Sequence, residues 1–195
     1  NISEDSMNKT IFVTGAAKRI GKAIVELFAS DGWRVIIHYN NSKADAEALA
    51  DAINEKNADT AFIVQGDLDK ADEVNNIISK VDGFTETIDL LIYNASTFYP
   101  TPIDDISEEH WEKLVGSNLK GPLFLIQGLK QKLIESKGSI INITDTNLSK
   151  GVANYSIYSA AKAGLEAITK GLARELAPEI KVNAIAPGAM LEPPD

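Results

Sequence analysis

The chain has 195 residues, 19 of them basic and 28 acidic for a formal net charge of -9, with two histidines and no cysteine. That length suits one domain with a sizeable core. The acidic balance without a basic cluster excludes a nucleic-acid or anionic-membrane binder, and the missing cysteines exclude disulfides, thiolate metal sites and a cysteine nucleophile. His38 and His110 stand apart, which leaves no histidine metal site. No apolar run reaches the roughly 18 residues of a membrane span, so a soluble, cytoplasmic protein is expected.

Residues 1–6 are polar and precede Met7. They read as a tag remnant or frayed tail, with Met7 the natural start and 7–195 a single domain. Thr10-Ile11-Phe12-Val13-Thr14 is short, apolar and bounded by Gly15, as a strand buried on both faces would be. Ile20, Ala23, Ile24, Leu27 and Phe28 then fall at i, i+3, i+4, i+7 and i+8, one face of a helix packing on a sheet. A second strand is predicted at 35–37, and a helix with Ala46, Leu49, Ala50 and Ile53 inward and Ser42 as its N-cap. Further strands are predicted at 61–64, 88–92, 139–144 and 181–185, with helices around 107–136 and 154–177. The final residues, 190–195, look like the start of a loop, as though chain were missing.

Strands alternating with helices predict a parallel sheet, because parallel neighbours need a crossover that packs on the sheet face. Right-handed crossovers then favour an α/β, Rossmann-type doubly wound sheet of order 3-2-1-4-5-6, with ligands beyond the C-terminal strand ends. Thr14-Gly15-Ala16-Ala17-Lys18-Arg19-Ile20-Gly21 joins the first strand to the first helix there. Glycine and alanine allow close backbone approach to a pyrophosphate, and the helix start offers free N–H groups and a positive dipole end. Gly15, Lys18, Arg19 and Ile20 are therefore candidate dinucleotide contacts.

The second strand ends in His38-Tyr39-Asn40-Asn41-Ser42-Lys43, where an NAD-selective protein places a carboxylate on the adenosine ribose. None occurs before Asp45, and Arg19, Ser42 and Lys43 suit a 2′-phosphate, which favours NADPH; a solvated surface charge is the plainer reading of Lys43. Asp67 and Leu68, after the third strand, sit where an adenine would be contacted, although a helix-capping aspartate has the same local sequence. Tyr158 and Lys162 are four apart in a helical stretch and share a face. An ammonium beside a phenol favours its ionised form and brings it nearer the range for proton transfer.

The turn at 14–21, Asn94-Ala95, Tyr158-x-x-x-Lys162 and Pro187-Gly188 occur in the order and approximate spacing of the short-chain dehydrogenase/reductases, which the chain resembles from about Lys9 to Gly188. The resemblance implies that Tyr158 is the acid/base, that Lys162 holds the nicotinamide ribose, that Asn94, Ala95, Pro187 and Gly188 border the cofactor, and that the assembly is a homotetramer. It also implies that the family's C-terminal loop, helix and last strand are absent from this chain. Where that family usually has a serine, 13 residues before Tyr158, this chain has Asp145, and the glycine expected within the phosphate turn is Arg19. Together with Asn94-Ala95-Ser96-Thr97-Phe98-Tyr99-Pro100, these departures resemble the pteridine reductases and related dihydromonapterin and dihydrofolate reductases. That likeness implies a pterin stacked on Phe98, Ser96 at cofactor and ligand, and Arg19 reaching phosphates and pterin edge. Tyr93 and Asn41 depart from it: the family has asparagine at the first position, and pteridine reductases carry an NADPH-selecting arginine at the second.

An ionised Asp145 near Tyr158 opposes Lys162 and keeps the phenol protonated, a proton donor suited to reduction; in isolation Asp145 would read as a turn or cap residue. Pro122 has no N–H for the carbonyl of Asn118, which therefore needs another partner and, by resemblance, a water that extends a proton path from Lys162; a helix kink is the alternative reason for Pro122. The expected activity is NADPH-dependent reduction of a dihydropterin or related pteridine or folate. The alternatives are reduction of a ketoacyl, sugar or xenobiotic ketone and, from another class, non-catalytic NADP(H) sensing.

Overall fold

Residues 9–188 are described by the structure, a computed structural model; the readings of 1–6, Met7 and 190–195 lie outside them. Six strands, β1 (Thr10–Val13), β2 (Arg34–Tyr39), β3 (Ala61–Gln65), β4 (Leu90–Tyr93), β5 (Ser139–Ile143) and β6 (Lys181–Ile185), alternate with helices α1 (Arg19–Ser30), α2 (Lys43–Asn54), α3 (Ala71–Asp82), α4 (Glu108–Val115), α5 (Gly121–Glu135) and α6 (Ser156–Glu175). The sheet runs β3-β2-β1-β4-β5-β6 and every neighbouring pair is parallel, the α/β order expected from the alternation. Among the described residues no helix is long and apolar enough to cross a membrane.

Alternation along the strands divides the core between the two faces. Ile11 and Val13 of β1, in register with Val35 and Ile37 of β2, face α1 and α2. Phe12, beside Ile36 and Leu91, faces the opposite core, which includes Ile77 and Val81 of α3 and Leu125 and Leu129 of α5. These side chains are 0 % exposed, and burial of each such group contributes about 1.5–3 kcal/mol. The doubly covered sheet explains why the central strands read as continuous apolar runs and not as alternating ones.

The α1 stripe is rotated from its expected position. Gly21, Val25 and Ala29 are buried, with Ile24 and Phe28 packed beside them, whereas Leu27 is 59 % exposed. Gly21 lies against the backbone of Gly15 and Ala16 and the side chain of Asn94, so this close approach, and not the largest apolar residues, sets which face of the helix turns inward. On α2 the expected Ala46, Leu49, Ala50 and Ile53 are the buried residues. Ser42 occupies its N-cap position but makes no side-chain capping bond. The helical stretch predicted over 107–136 begins where Ser107 Oγ accepts the His110 N–H at 3.2 Å. Its interior is interrupted: Gly116–Lys120 forms a π-helical turn between α4 and α5. On α6, Leu165 is buried and Leu172 packs partly against the core.

Candidate active site

The turn after β1 is held by three polar side chains, of which Thr14 and His38 are buried. Thr14 Oγ1 accepts the N–H groups of Asn94 and Ala95, each at 3.0 Å. Asn94 Nδ2 donates to the carbonyls of Thr14 and Gly15, also at 3.0 Å. His38 Nδ1 accepts the Gly15 N–H at 3.1 Å, which requires its proton on Nε2, 2.9 Å from the Gly66 carbonyl. Burial lowers the His38 pKa to about 4, against the smaller raising effects of the Gly66 carbonyl and Asp67, so the ring is neutral at pH 7. Gly15 has φ +60°, and a Cβ there would lie 2.9 Å from Ala95 Cα; both facts require glycine.

The next link is the start of α1. Lys18, at the N-cap, makes no side-chain capping bond and no acid occupies the first turn, so side chains of the helix leave its first N–H groups to other acceptors. They border a cavity of about 480 Å³ lined by the predicted Gly15, Lys18, Arg19, Ile20, His38, Asp67, Leu68, Asn94, Ala95 and Ser96, together with Gly21, Asn40, Thr97 and Ser117. A glycine turn, unfilled amide donors and this extended volume fit a dinucleotide. Arg19 has φ +51°, the left-handed conformation, so the turn keeps a backbone shape that favours glycine although the residue is arginine. Asn41 and Ser42 are not among the lining residues; Asn40 is. Lys18 pairs with Asp45 at 3.1 Å and Lys43 with Glu47 at 3.6 Å, so Lys43 is the solvated helix-surface charge of the plainer reading. Asp67 is not the α3 N-cap, a position taken by Lys70.

The C-terminal end of β5 and α6 bring together Asp145, Tyr158 and Lys162, which are not among the residues that line this cavity. The Tyr158 hydroxyl donates to Asp145 Oδ2 at 3.0 Å, while Asp145 Oδ1 accepts the Asn147 N–H at 2.7 Å. One oxygen of Asp145 thus serves the turn and the other meets Tyr158. Lys162 is buried, donates to the Ile143 carbonyl at 2.9 Å and lies 5.9 Å from the Tyr158 ring centre. Burial first, and then the charge and hydrogen bond of Asp145, push the Tyr158 phenol well above its usual range, with Ser96 opposing them. Burial lowers the Lys162 pKa to about 8 against the raising effect of Asp145. Burial and the neighbouring carboxylate therefore keep the phenol protonated.

Asn118, within the π turn, joins the two regions. Its Nδ2 donates to the Thr97 carbonyl at 2.8 Å and the Leu114 carbonyl at 3.0 Å, and its Oδ1 accepts the Ser96 hydroxyl at 2.9 Å. Phe98 is 59 % exposed, stacks on Tyr155 with centroids 4.5 Å apart and meets Tyr158 edge-on at 4.8 Å. Sequence reasoning missed Tyr155, although its place three residues before Tyr158 gave the helical-turn spacing needed to find it, and it missed the bracing role of Thr14. Pro187 and Gly188 follow β6 and do not line the cavity; the Thr146 hydroxyl, beside Asp145, donates to the Pro187 carbonyl at 3.4 Å.

The chain is 36 % identical over 184 residues to the 3-oxoacyl-(acyl-carrier-protein) reductase FabG of Staphylococcus epidermidis, covering 93 % of this chain and 75 % of that protein. It is 34 % identical over 224 residues to pteridine reductase 1 of Leishmania tarentolae, covering 94 % and 77 %. An uncharacterized oxidoreductase of Methylorubrum extorquens is 35 % identical over 181 residues, covering 92 % and 72 %. Residues 9–193 match the short chain dehydrogenase family. With a wound parallel sheet, a glycine turn opening α1 and a Tyr158/Lys162 pair on α6, the chain belongs to that family of oxidoreductases.

Proposed function

We propose that the chain forms an NADPH-dependent reductase of a dihydropterin or related pteridine or folate. The observation that carries this reading is the 3.0 Å hydrogen bond between Tyr158 and Asp145. A carboxylate at that position strengthens the hold on the phenolic proton, so Tyr158 is a donor and not a base. When bound, NADPH supplies the hydride. Gly15, Arg19, Ile20 and the start of α1 would hold its phosphates, Asp67 and Leu68 its adenine, and Lys162 its nicotinamide ribose. Tyr158 gives its proton to the ring nitrogen of the substrate and Asp145 orients that donor and takes part in replenishing it. Phe98, supported from behind by Tyr155, offers its open face to a flat heterocycle.

The likeness to pteridine reductase 1 supports this reading. The likeness to 3-oxoacyl-(acyl-carrier-protein) reductase supports a second, reduction of a ketoacyl substrate by the same Tyr158 and Lys162. The two separate in a side-by-side assay of NADPH consumption with dihydrobiopterin, dihydromonapterin, dihydrofolate and an acetoacetyl thioester. Pterin turnover that collapses in Asp145→Ser is the expected result. Faster thioester turnover, improved by Asp145→Ser, would establish the second reading, and tight NADPH binding with no turnover of any substrate would indicate a sensor. The proposed working form is a cytoplasmic homotetramer.

A further inference from the structure

We propose that Tyr93 is a positioning residue for this chemistry, its hydroxyl holding the π turn that presents Asn118 to Ser96 at the cavity wall. The inference rests on the reductase reading above for its kinetic consequence, but its structural half stands apart from any substrate. Tyr93 is the last residue of β4 and is 0 % exposed. Its hydroxyl donates to the Ser117 carbonyl at 2.7 Å.

That carbonyl needs an outside donor for a reason written in the local sequence. In the π turn, the Gly121 N–H bonds back to the Gly116 carbonyl. The next donor in that register would come from residue 122, which is proline and has no N–H. Ser117 thus loses its helical partner, not only Asn118 as the α-helical spacing implied, and a buried carbonyl without a donor is costly. Tyr93 supplies the donor from the neighbouring strand. The slot for the hydroxyl depends on Gly121, where a Cβ would lie 2.9 Å from the Tyr93 hydroxyl oxygen and 2.5 Å from the Leu68 carbonyl.

The consequence passes through one residue. Asn118 follows Ser117, anchors by Nδ2 to Thr97 and Leu114, and accepts from Ser96, a residue that lines the cavity. A π turn that relaxes toward α-helical register rotates Asn118 away from that chain of groups. Burial, with the negative charge of Asp67 and Asp69, keeps Tyr93 a protonated donor. Tyr93 does not itself line the cavity, so it acts through Asn118 and not on a ligand.

The test is Tyr93→Phe, which removes only the hydroxyl, compared with the double variant Tyr93→Phe/Pro122→Ala, which restores an N–H at residue 122. Amide exchange over residues 116–121 should quicken about tenfold in the single variant, and kcat should fall about fivefold to twentyfold with the KM for NADPH little changed. The double variant should regain most of both. Unchanged exchange and kcat in Tyr93→Phe would overturn the proposal, as would a loss that follows global destabilisation and is not recovered by the added amide. If Tyr93→Phe does not fold, the proposal requires the double variant to fold. Exchange is read without turnover, so a protein inactive on every pterin and ketone defeats the functional reading while leaving the hydroxyl's structural role decided by exchange.

Discussion

The phosphate turn and the Tyr158 centre lie at the same end of the sheet and solve opposite problems. At the turn, polar side chains bond to the backbone and leave the start of α1 open: Thr14, Asn94 and His38 each serve main-chain groups, while no side chain caps the helix. At the centre the reactive side chains bond to one another and to β5, with Tyr158 on Asp145 and Lys162 on the Ile143 carbonyl. On the proposed reading, one region receives the charge of the cofactor and the other controls a proton. The first gains from rigidity in the backbone, the second from competition among three ionisable groups.

Tyr158→Phe should draw the contrast most sharply. Loss of the donor should reduce kcat by about 10²–10⁴-fold with NADPH affinity retained in a binding titration; a fall of less than tenfold would place the proton donor elsewhere. Asn94→Leu should do the reverse. It strips the Thr14 and Gly15 carbonyls of a donor, should cost about 2–4 kcal/mol in chemical denaturation, and should weaken NADPH binding more than it slows the bound complex.

A pH series sharpens the comparison further. Lys162 loses its proton near pH 8, so kcat/KM should fall on the alkaline side of that value while Tyr158 remains protonated. Asp145→Asn removes a charge that raises the Lys162 pKa and should move the limb to lower pH. Stability should not follow activity. The folded pKa of Lys162 is depressed from 10.5, so the cost of burying its charge is present in full below pH 8 and is relieved as pH rises from about 8 toward 10.5, where the unfolded chain binds more protons. A thermal midpoint contribution that fell in step with kcat/KM across that window would contradict this balance. The smallest effect is expected for Arg19→Gly. Relief of the left-handed backbone should stabilise the fold by up to about 1 kcal/mol after the unfolded-state entropy of glycine is counted, while NADPH affinity declines. Unaltered affinity would remove Arg19 from the cofactor contacts.

Much of the site was legible because its parts are short-range. Gly15 next to a strand end, Tyr158 four residues before Lys162, and Asp145 thirteen before Tyr158 are patterns a linear reading can hold. Ser42 and Asn41 were harder, since which residue after β2 faces the cavity depends on how α2 meets the sheet, and Asn40 takes that place. His38 was read as a cofactor contact and lines the cavity, yet both ring nitrogens are engaged by backbone. The inward face of α1 was displaced because Gly21, which has no side chain to register in an apolar pattern, makes the closest contact.

Apolar periodicity and the crossover rule were enough to expect a doubly wound parallel sheet, because each helix that links parallel strands must cover the sheet on a predictable hand. Only the folded chain decided the π turn and the Tyr93 bond that accompanies it. Whether a carbonyl is orphaned depends on helical register, and whether it finds a donor depends on a strand more than twenty residues away in sequence. Hydrogen-bond completion over such distances is a property of the packed interior, where an unpaired group is costly.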